Sequence, residues 1–230
     1  MAIKLYDLRL KGDRRPSPFC WRAKFALAHT GLAWTEVPIG FTDKAALAFA
    51  QSTLVPVIDD GGTPVKDSWQ IALHLEATRP ERPLFKSTQA RAFAEFASGW
   101  TDQTVHPGLF PLLVADLYDK VEDKDRAYFL ETRGKRFPGR TFDEVQRTAR
   151  ESAIPAFRAS LHPARRALGT GVYLCGEHPG WADYALASAL LWCRAVSSFK
   201  PLAEDDALVP WFERMLDLYD SMGRRAPATS

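Results

Sequence analysis

The chain has 230 residues, 46% of them apolar and 25% charged, with a formal net charge of +2. That length holds one large domain or two small ones, with ample material for a buried core. Basic and acidic residues are interleaved rather than clustered, which argues against a nucleic-acid binder, and no apolar run reaches membrane-spanning length.

Lys4, Asp7 and Arg9 interrupt the opening "MAIKLYDLRL", so it does not read as a signal peptide. Three cysteines, odd in number and far apart, predict no disulfide framework. The expectation is a cytoplasmic protein with reduced thiols. "IKLYDL" alternates as a strand does. "PFCWRAKFALAHT" reads as a helix closed by Gly31, which suits a left-handed position. "AWTEVPIG" is a second strand and "DKAALAFAQ" a short helix. "VPVIDD", Gly61-Gly62 and "TPVKD" form a hairpin, and "SWQIALHLEAT" is a third helix. The order βαβ, helix, ββ, helix is that of a thioredoxin-like domain, here residues 1–80.

Residues 81–88 read as a linker, in a stretch with two prolines and alternating charges, "RPERPLFKS". Residues 89–230 carry almost no strand signal. Apolar residues recur at helical spacing over 88–120, 142–168, 181–197 and 205–222, so the second domain is predicted to be an all-helical bundle. Residues 120–141 are the most polar stretch and are expected to include a long surface connection.

Three short features point to chemistry, and each also has a plain structural reading. Ser17 precedes Pro18, the pairing of a helix N-cap with the first helical position. It is either a cap alone or also a donor to an anion, because free N–H groups and the backbone dipole favour negative charge there. Pro56 interrupts the apolar run Val55-Pro56-Val57-Ile58, where it marks an edge, a bulge or a cis bond. A cis bond would leave the Val55 backbone open to an extended peptide. Asp67-Ser68 stands where the hairpin ends and a helix begins. The pair is either a cap or a site where Ser68 meets a carboxylate and Asp67 an ammonium group. A thiolate pocket, a peptide-pairing edge and an amino-acid site together match the three parts of glutathione.

The whole chain resembles a glutathione transferase, and within that superfamily the bacterial β-etherase branch and the related fungal FuA class. "SPFCWRAKFALAHTG", "PIGFTD", "VPVIDDGGTPVKDSWQIALHLE", "RPERPLF" and "PGWADYALASALLW" carry the resemblance. "FPGRTFDEVQ" lies outside the motifs that all transferases share and favours this branch. The resemblance implies a thioredoxin-like α/β domain followed by an all-α domain, assembled as a homodimer. It implies that Ser17 is the catalytic serine and that the Val55 backbone binds the cysteinyl part of glutathione. Pro56 is then the cis proline, and Asp67 and Ser68 form the γ-glutamyl site. Leu54 stands where some relatives place a basic residue, so the glycyl end of glutathione is either held by Lys44 or left loose. Gly180 replaces the usual Ser, Thr or Asn cap in "PGWAD", with a small stability cost expected, while Asp183 can still accept N–H bonds there.

Ser17 and Cys20 are three apart and share a helix face. A dithiol cycle needs cysteine at 17, so Cys20 is expected to pack as a small hydrophobe. Lowering a thiol from ~8.5 by about two units takes ~2.7 kcal/mol. A hydroxyl hydrogen bond to a charged sulfur supplies ~1.5–3 kcal/mol and the helix end ~0.3–1 kcal/mol. Ser17 would thus steady a glutathione thiolate that attacks carbon. Of the aromatic residues Trp100, Phe110, Tyr184 and Trp192, one or two should wall a site for an aromatic second substrate, with Trp100 and Trp192 the candidates. The basic loop with Arg9, Lys11, Arg14 and Arg15 is either a solvated loop or an anion attractor beside that site. Cys175-x-x-His178 has no second ligand pair, so no metal is expected. Two rival functions share the same residues: a ligandin-like aromatic-binding protein with little turnover, and a glutathione-dependent reductase using Cys20.

Overall fold

The structure, a computed structural model, describes residues 2–229. Strand β1 (Ile3–Leu8) alternates because Ile3, Leu5 and Asp7 face the interior. Helix α1 (Pro18–His29) crosses over to β2 (Trp34–Ile39), which lies parallel to β1 with Leu5 opposite Glu36. A short 3-10 helix, Lys44–Ala50, leads to the hairpin of β3 (Val57–Asp60) and β4 (Thr63–Lys66). Gly61 and Gly62 turn it with φ of 63° and 98°, values that a side chain would oppose. The four strands lie in the order β2-β1-β3-β4, with β3 antiparallel to β1. Helix α2 (Ser68–Thr78) completes this thioredoxin-like half.

The connection that follows is packed rather than loose. Leu84 and Phe85 are buried, and the Glu76 carboxylate accepts both of their N–H groups, at 2.6 and 3.3 Å. Ser87 then caps α3 (Thr88–Trp100), which runs through a π-helical turn, Thr101–Val105, into α4 (His106–Lys120). The rest is helical: α5 (Arg126–Gly134), α6 (Phe142–Ser152), α7 (Ile154–Ser160), α8 (His162–Leu168), α9 (Trp181–Val196) and α10 (Leu208–Arg225). A capping box of Thr141 and Glu144 starts α6 within the "FPGRTFDEVQ" segment.

The polar stretch 120–141 departs from the expected surface connection. It forms α5, anchored by Phe129 in the core. Asp125 just before it is fully buried and accepts N–H bonds from Phe41 and Thr42 at 2.9 and 3.0 Å. Those bonds tie the helical half to the loop after β2.

One continuous core spans both halves, because α1 is covered by the sheet on one side and by α9 on the other. Phe25 stacks on Tyr184 with ring centroids 5.1 Å apart, and His29 Nδ1 lies 2.7 Å from the Tyr184 hydroxyl. Tyr184 is thus an interdomain packing residue. In α9, the Asp183 carboxylate accepts the Leu174, Cys175 and Gly180 N–H groups and the Trp211 indole N–H, at 2.7–3.2 Å. No helix among the described residues is long and apolar enough to cross a membrane.

Candidate functional site

Ser17 caps α1, as its sequence neighbourhood predicts. Its Oγ accepts the Cys20 N–H at 3.2 Å, and Pro18 occupies the first turn. Accepting that bond uses one lone pair and leaves the O–H able to donate. Although only 8% exposed, Ser17 lines a cavity of about 420 Å³ between the two halves. Cys20 does not line it. Its thiol is fully buried and held well above the ordinary range, first by desolvation and next by the charge of Asp7. A thiolate at Cys20 is therefore disfavoured at neutral pH, which weighs against dithiol chemistry.

The Val55-Pro56 bond is cis. Val55 lies just outside the β3–β4 ladder, whose pairing begins at Val57 and Lys66, and it lines the same cavity as Ser17. The Pro56 carbonyl accepts the Asp67 N–H at 3.1 Å, so the two motifs are adjacent. Asp67, not Ser68, is the N-cap of α2. One carboxylate oxygen of Asp67 accepts the Trp69 and Gln70 N–H groups at 2.9 and 3.1 Å. Asp67 is exposed and holds φ at 74°, while Ser68 is the first helical residue and is buried. The second carboxylate oxygen of Asp67 remains for a cation, and the Ser68 N–H and hydroxyl lie at the positive helix end.

Of the two tryptophans expected to wall the cavity, Trp192 does so and Trp100 does not. Trp100 packs partly buried against the common core. Phe110 joins Trp192 instead, their rings stacked with centroids 6.0 Å apart. Two of the four basic residues in the loop after β1 are neutralised by acidic partners. Arg15 is buried and pairs with Asp7, Asp13 and Glu36, and Lys11 pairs with Asp123. Lys24 completes the inner network, 2.7 Å from Asp7 and 2.8 Å from Glu36.

Asp102, His106, Arg133 and Arg136 line the cavity and escape sequence reasoning, as does Arg22, which lies behind Asp102 and not on the wall. Arg22 on α1 is 2% exposed and reaches Asp102 at 2.6 Å. His106 Nδ1 lies 3.4 Å from the same carboxylate. Its Nε2 is buried without a hydrogen-bond partner among the described residues. Burial and, second, the Arg22 charge push His106 down to about 3, so it is neutral at physiological pH. Lys44, Arg133 and Arg136 occupy another part of the wall with Phe41 and Tyr128. His106-Pro107 in a helical run is a faint signal, and Arg133 and Arg136 lie in the stretch that reads as a loop. Among the described residues no group of three or more His, Cys, Asp or Glu side chains is arranged to hold a metal ion.

A thioredoxin-like sheet domain, a cis-proline edge, a helix-capping serine and a helical second half define a glutathione-transferase architecture. The chain belongs to the glutathione S-transferase family. Residues 16–78 match the model of its N-terminal domain and residues 92–206 that of its C-terminal domain. A glutathione S-transferase-like protein, ustS, of Aspergillus flavus is 29% identical over 136 residues, 55% of this chain and 49% of that protein. The match thus spans about half the length of that curated relative. The structure of glutathione transferase GSTFuA3 from Phanerochaete chrysosporium aligns with a TM-score of 0.76 at 23% identity, covering 96% of this chain and 92% of that one. CsGST63524 of Ceriporiopsis subvermispora, solved in complex with glutathione, aligns over 100% of both chains with a TM-score of 0.82 at 18% identity. At these identities the likeness to the solved structures is one of fold.

Proposed function

We propose that this glutathione transferase joins the glutathione sulfur to an aromatic electrophile, and that β-aryl ethers are among its substrates. Ser17 donates a hydrogen bond to the thiolate. The Val55 backbone pairs with the cysteinyl part, and Asp67 and Ser68 hold the α-ammonium and α-carboxylate of the γ-glutamyl end. Lys44 takes the glycyl carboxylate. The thiol proton passes to solvent, the sulfur forms a bond to carbon, and the carbon–oxygen bond of the ether breaks. The phenolate leaves with that electron pair.

The observation that carries this reading is a shared wall: Ser17 lines the same cavity as Phe110 and Trp192. A sulfur held at Ser17 therefore meets a flat ring lying on those two residues. Steady-state assays with a chlorodinitrobenzene and with a β-aryl ether test it. Turnover of both with glutathione supports the reading. Binding of aromatic compounds without turnover of either supports the ligandin-like alternative instead.

The reading includes a homodimer. Helix α3 leaves Phe96 68% exposed and Phe93 37% exposed, an apolar face suited to a second copy. Helix α2 offers no such face, since Ile71 and Leu75 are buried and Leu73 is half-buried.

A further inference from the structure

Lys44, Arg133 and Arg136 all line the cavity, and among the described residues no carboxylate oxygen lies within 4.0 Å of any of their nitrogens. Their neighbours differ. Lys124 pairs with Asp43 at 2.6 Å, Lys135 with Glu131 at 3.4 Å and Arg22 with Asp102 at 2.6 Å. Asp102 is the acidic residue on the cavity wall, and Arg22 already neutralises it.

The three cations stand against rings instead, and Arg133 also donates a hydrogen bond to Thr132 Oγ1 at 2.9 Å. Lys44 Nζ stands 4.4 Å from the Tyr128 ring centre. The Arg133 guanidinium lies 5.4 Å from Phe41 and 5.7 Å from Phe129, and that of Arg136 lies 5.1 Å from Phe110. A ring face orients a cation and limits its freedom, but it carries no net charge to neutralise it. Positive charge in a concave, partly apolar wall focuses its field into the cavity.

We propose that the second substrate is an aromatic electrophile bearing a carboxylate, its ring on Phe110 and Trp192 and its carboxylate on Arg133 and Arg136. This rests on the transferase reading, in which Lys44 is taken by glutathione. Two guanidinium forks suit a planar carboxylate, which accepts paired N–H bonds. The charge also answers a problem specific to this reaction. An anionic thiolate repels an anionic electrophile, the more so in a cavity of reduced dielectric. Arg133 and Arg136 offset that repulsion, so the cavity favours acids that a neutral wall would reject.

The test uses the full chain and two unreactive ligands with the same ring, 3,5-dinitrobenzoate and 3,5-dinitrobenzamide. Isothermal titration calorimetry measures each in the presence of saturating S-methylglutathione. The benzoate is expected to bind at least about tenfold more tightly, the size of a charge-assisted hydrogen bond. The Arg133→Gln/Arg136→Gln double variant should bring the ratio of dissociation constants to within about twofold. Lys135→Gln, which removes a neighbouring charge that does not line the cavity, should keep the wild-type ratio. Should the double variant not fold, wild type in roughly 0.5 M salt provides the same comparison, with the ratio expected to fall. A wild-type ratio near one, a ratio unchanged in the folded double variant or, where that variant does not fold, a ratio unchanged in salt overturns the proposal. Titration with S-methylglutathione alone checks the underlying reading separately. If it does not bind while the benzoate preference persists and depends on the two arginines, the acid site stands and the glutathione assignment falls.

Discussion

Arg22 on α1 and Asp102 beyond α3 are joined by two contacts, at 2.6 and 3.3 Å, across the boundary between the two halves. Arg22 is almost wholly buried, whereas the Asp102 side chain is 31% exposed. The pair therefore couples domain packing to the cavity wall, where His106 leans on the same carboxylate. Asp102→Ala would strand a buried guanidinium. The expected loss is about 3 kcal/mol, the low end for a broken buried pair because Asp102 is partly open to water. For a chain of this size that lowers the melting temperature by roughly 6–12 °C in a thermal scan.

Ser17→Ala should act twice. Losing the hydrogen bond to the thiolate costs ~1.5–3 kcal/mol, or roughly tenfold to a hundredfold in turnover at neutral pH where the thiolate is limiting. The bound thiol pKa rises, so raising the pH should recover part of the rate. Losing the cap to the Cys20 N–H costs a further ~0.5–2 kcal/mol of stability. Thiolate absorbance against pH reads the first effect and urea unfolding the second.

Two of the three thiols should be silent in the folded protein. Cys20 and Cys193 are buried, and burial pushes Cys193 up to about 12, whereas Cys175 is exposed. Ellman's reagent at pH 8 is expected to label Cys175 in the native state and Cys20 and Cys193 only after unfolding. Cys20→Ala should change stability more than rate. Rapid labelling of Cys20 in the native state, with loss of activity, would move the chemistry to that residue.

His106 makes stability depend on pH in a stated direction. Its folded-state pKa lies below the ordinary imidazole value, so the unfolded chain takes up a proton that the folded chain refuses. Its contribution is complete above pH 6.5 and is lost as the pH falls towards about 3. The full span corresponds to about 5 kcal/mol. His106→Gln should flatten the acid side of the stability profile, measured as urea midpoints at neutral and acidic pH for both proteins.

Gly180 invites a substitution that sequence alone would favour. Serine is a good N-cap. Yet a Cβ at 180 would meet Cys175 Sγ at 2.9 Å and Cys175 Cβ at 3.1 Å. Gly180→Ser is therefore expected to destabilise by ~1–3 kcal/mol through overpacking. Cys175→Ala in the same chain should restore part of the loss. The double-mutant cycle measures that coupling, and additive effects would exclude the clash.

The readable elements are those whose causes are local. Ser17-Pro18 specifies a helix start by the geometry of a few bonds, and Gly61-Gly62 specifies a hairpin by two positive φ angles. Val55-Pro56 leaves an edge, a bulge or a cis bond open, and Asp67-Ser68 marks a helix start without deciding which residue caps it; the structure makes the bond cis and Asp67 the cap. Helical periodicity likewise marks α9, because one helix buried on nearly every side leaves a long apolar record. Helix α5 leaves almost none. It buries Phe129 as its single anchor and spends its other positions on the surface and the cavity wall, so residues 120–141 read as a connection.

The cavity itself is a matter of long-range meetings. Arg22 and Asp102 are 80 residues apart in sequence, and neither position signals the other. Trp100 and Trp192 look equally suited to the wall, and only the packing of α9 beside α4 puts Trp192 there with Phe110 and leaves Trp100 against the core. Arg15 reads as a surface cation until β1 places Asp7 on the buried face of the sheet. A buried charge must find its counter-ion wherever the chain supplies one, because leaving it unpaired costs several kcal/mol. Side-chain chemistry and local backbone preference are written residue by residue. Which charges meet, and which rings face the serine, is decided when two separately patterned halves close over one core.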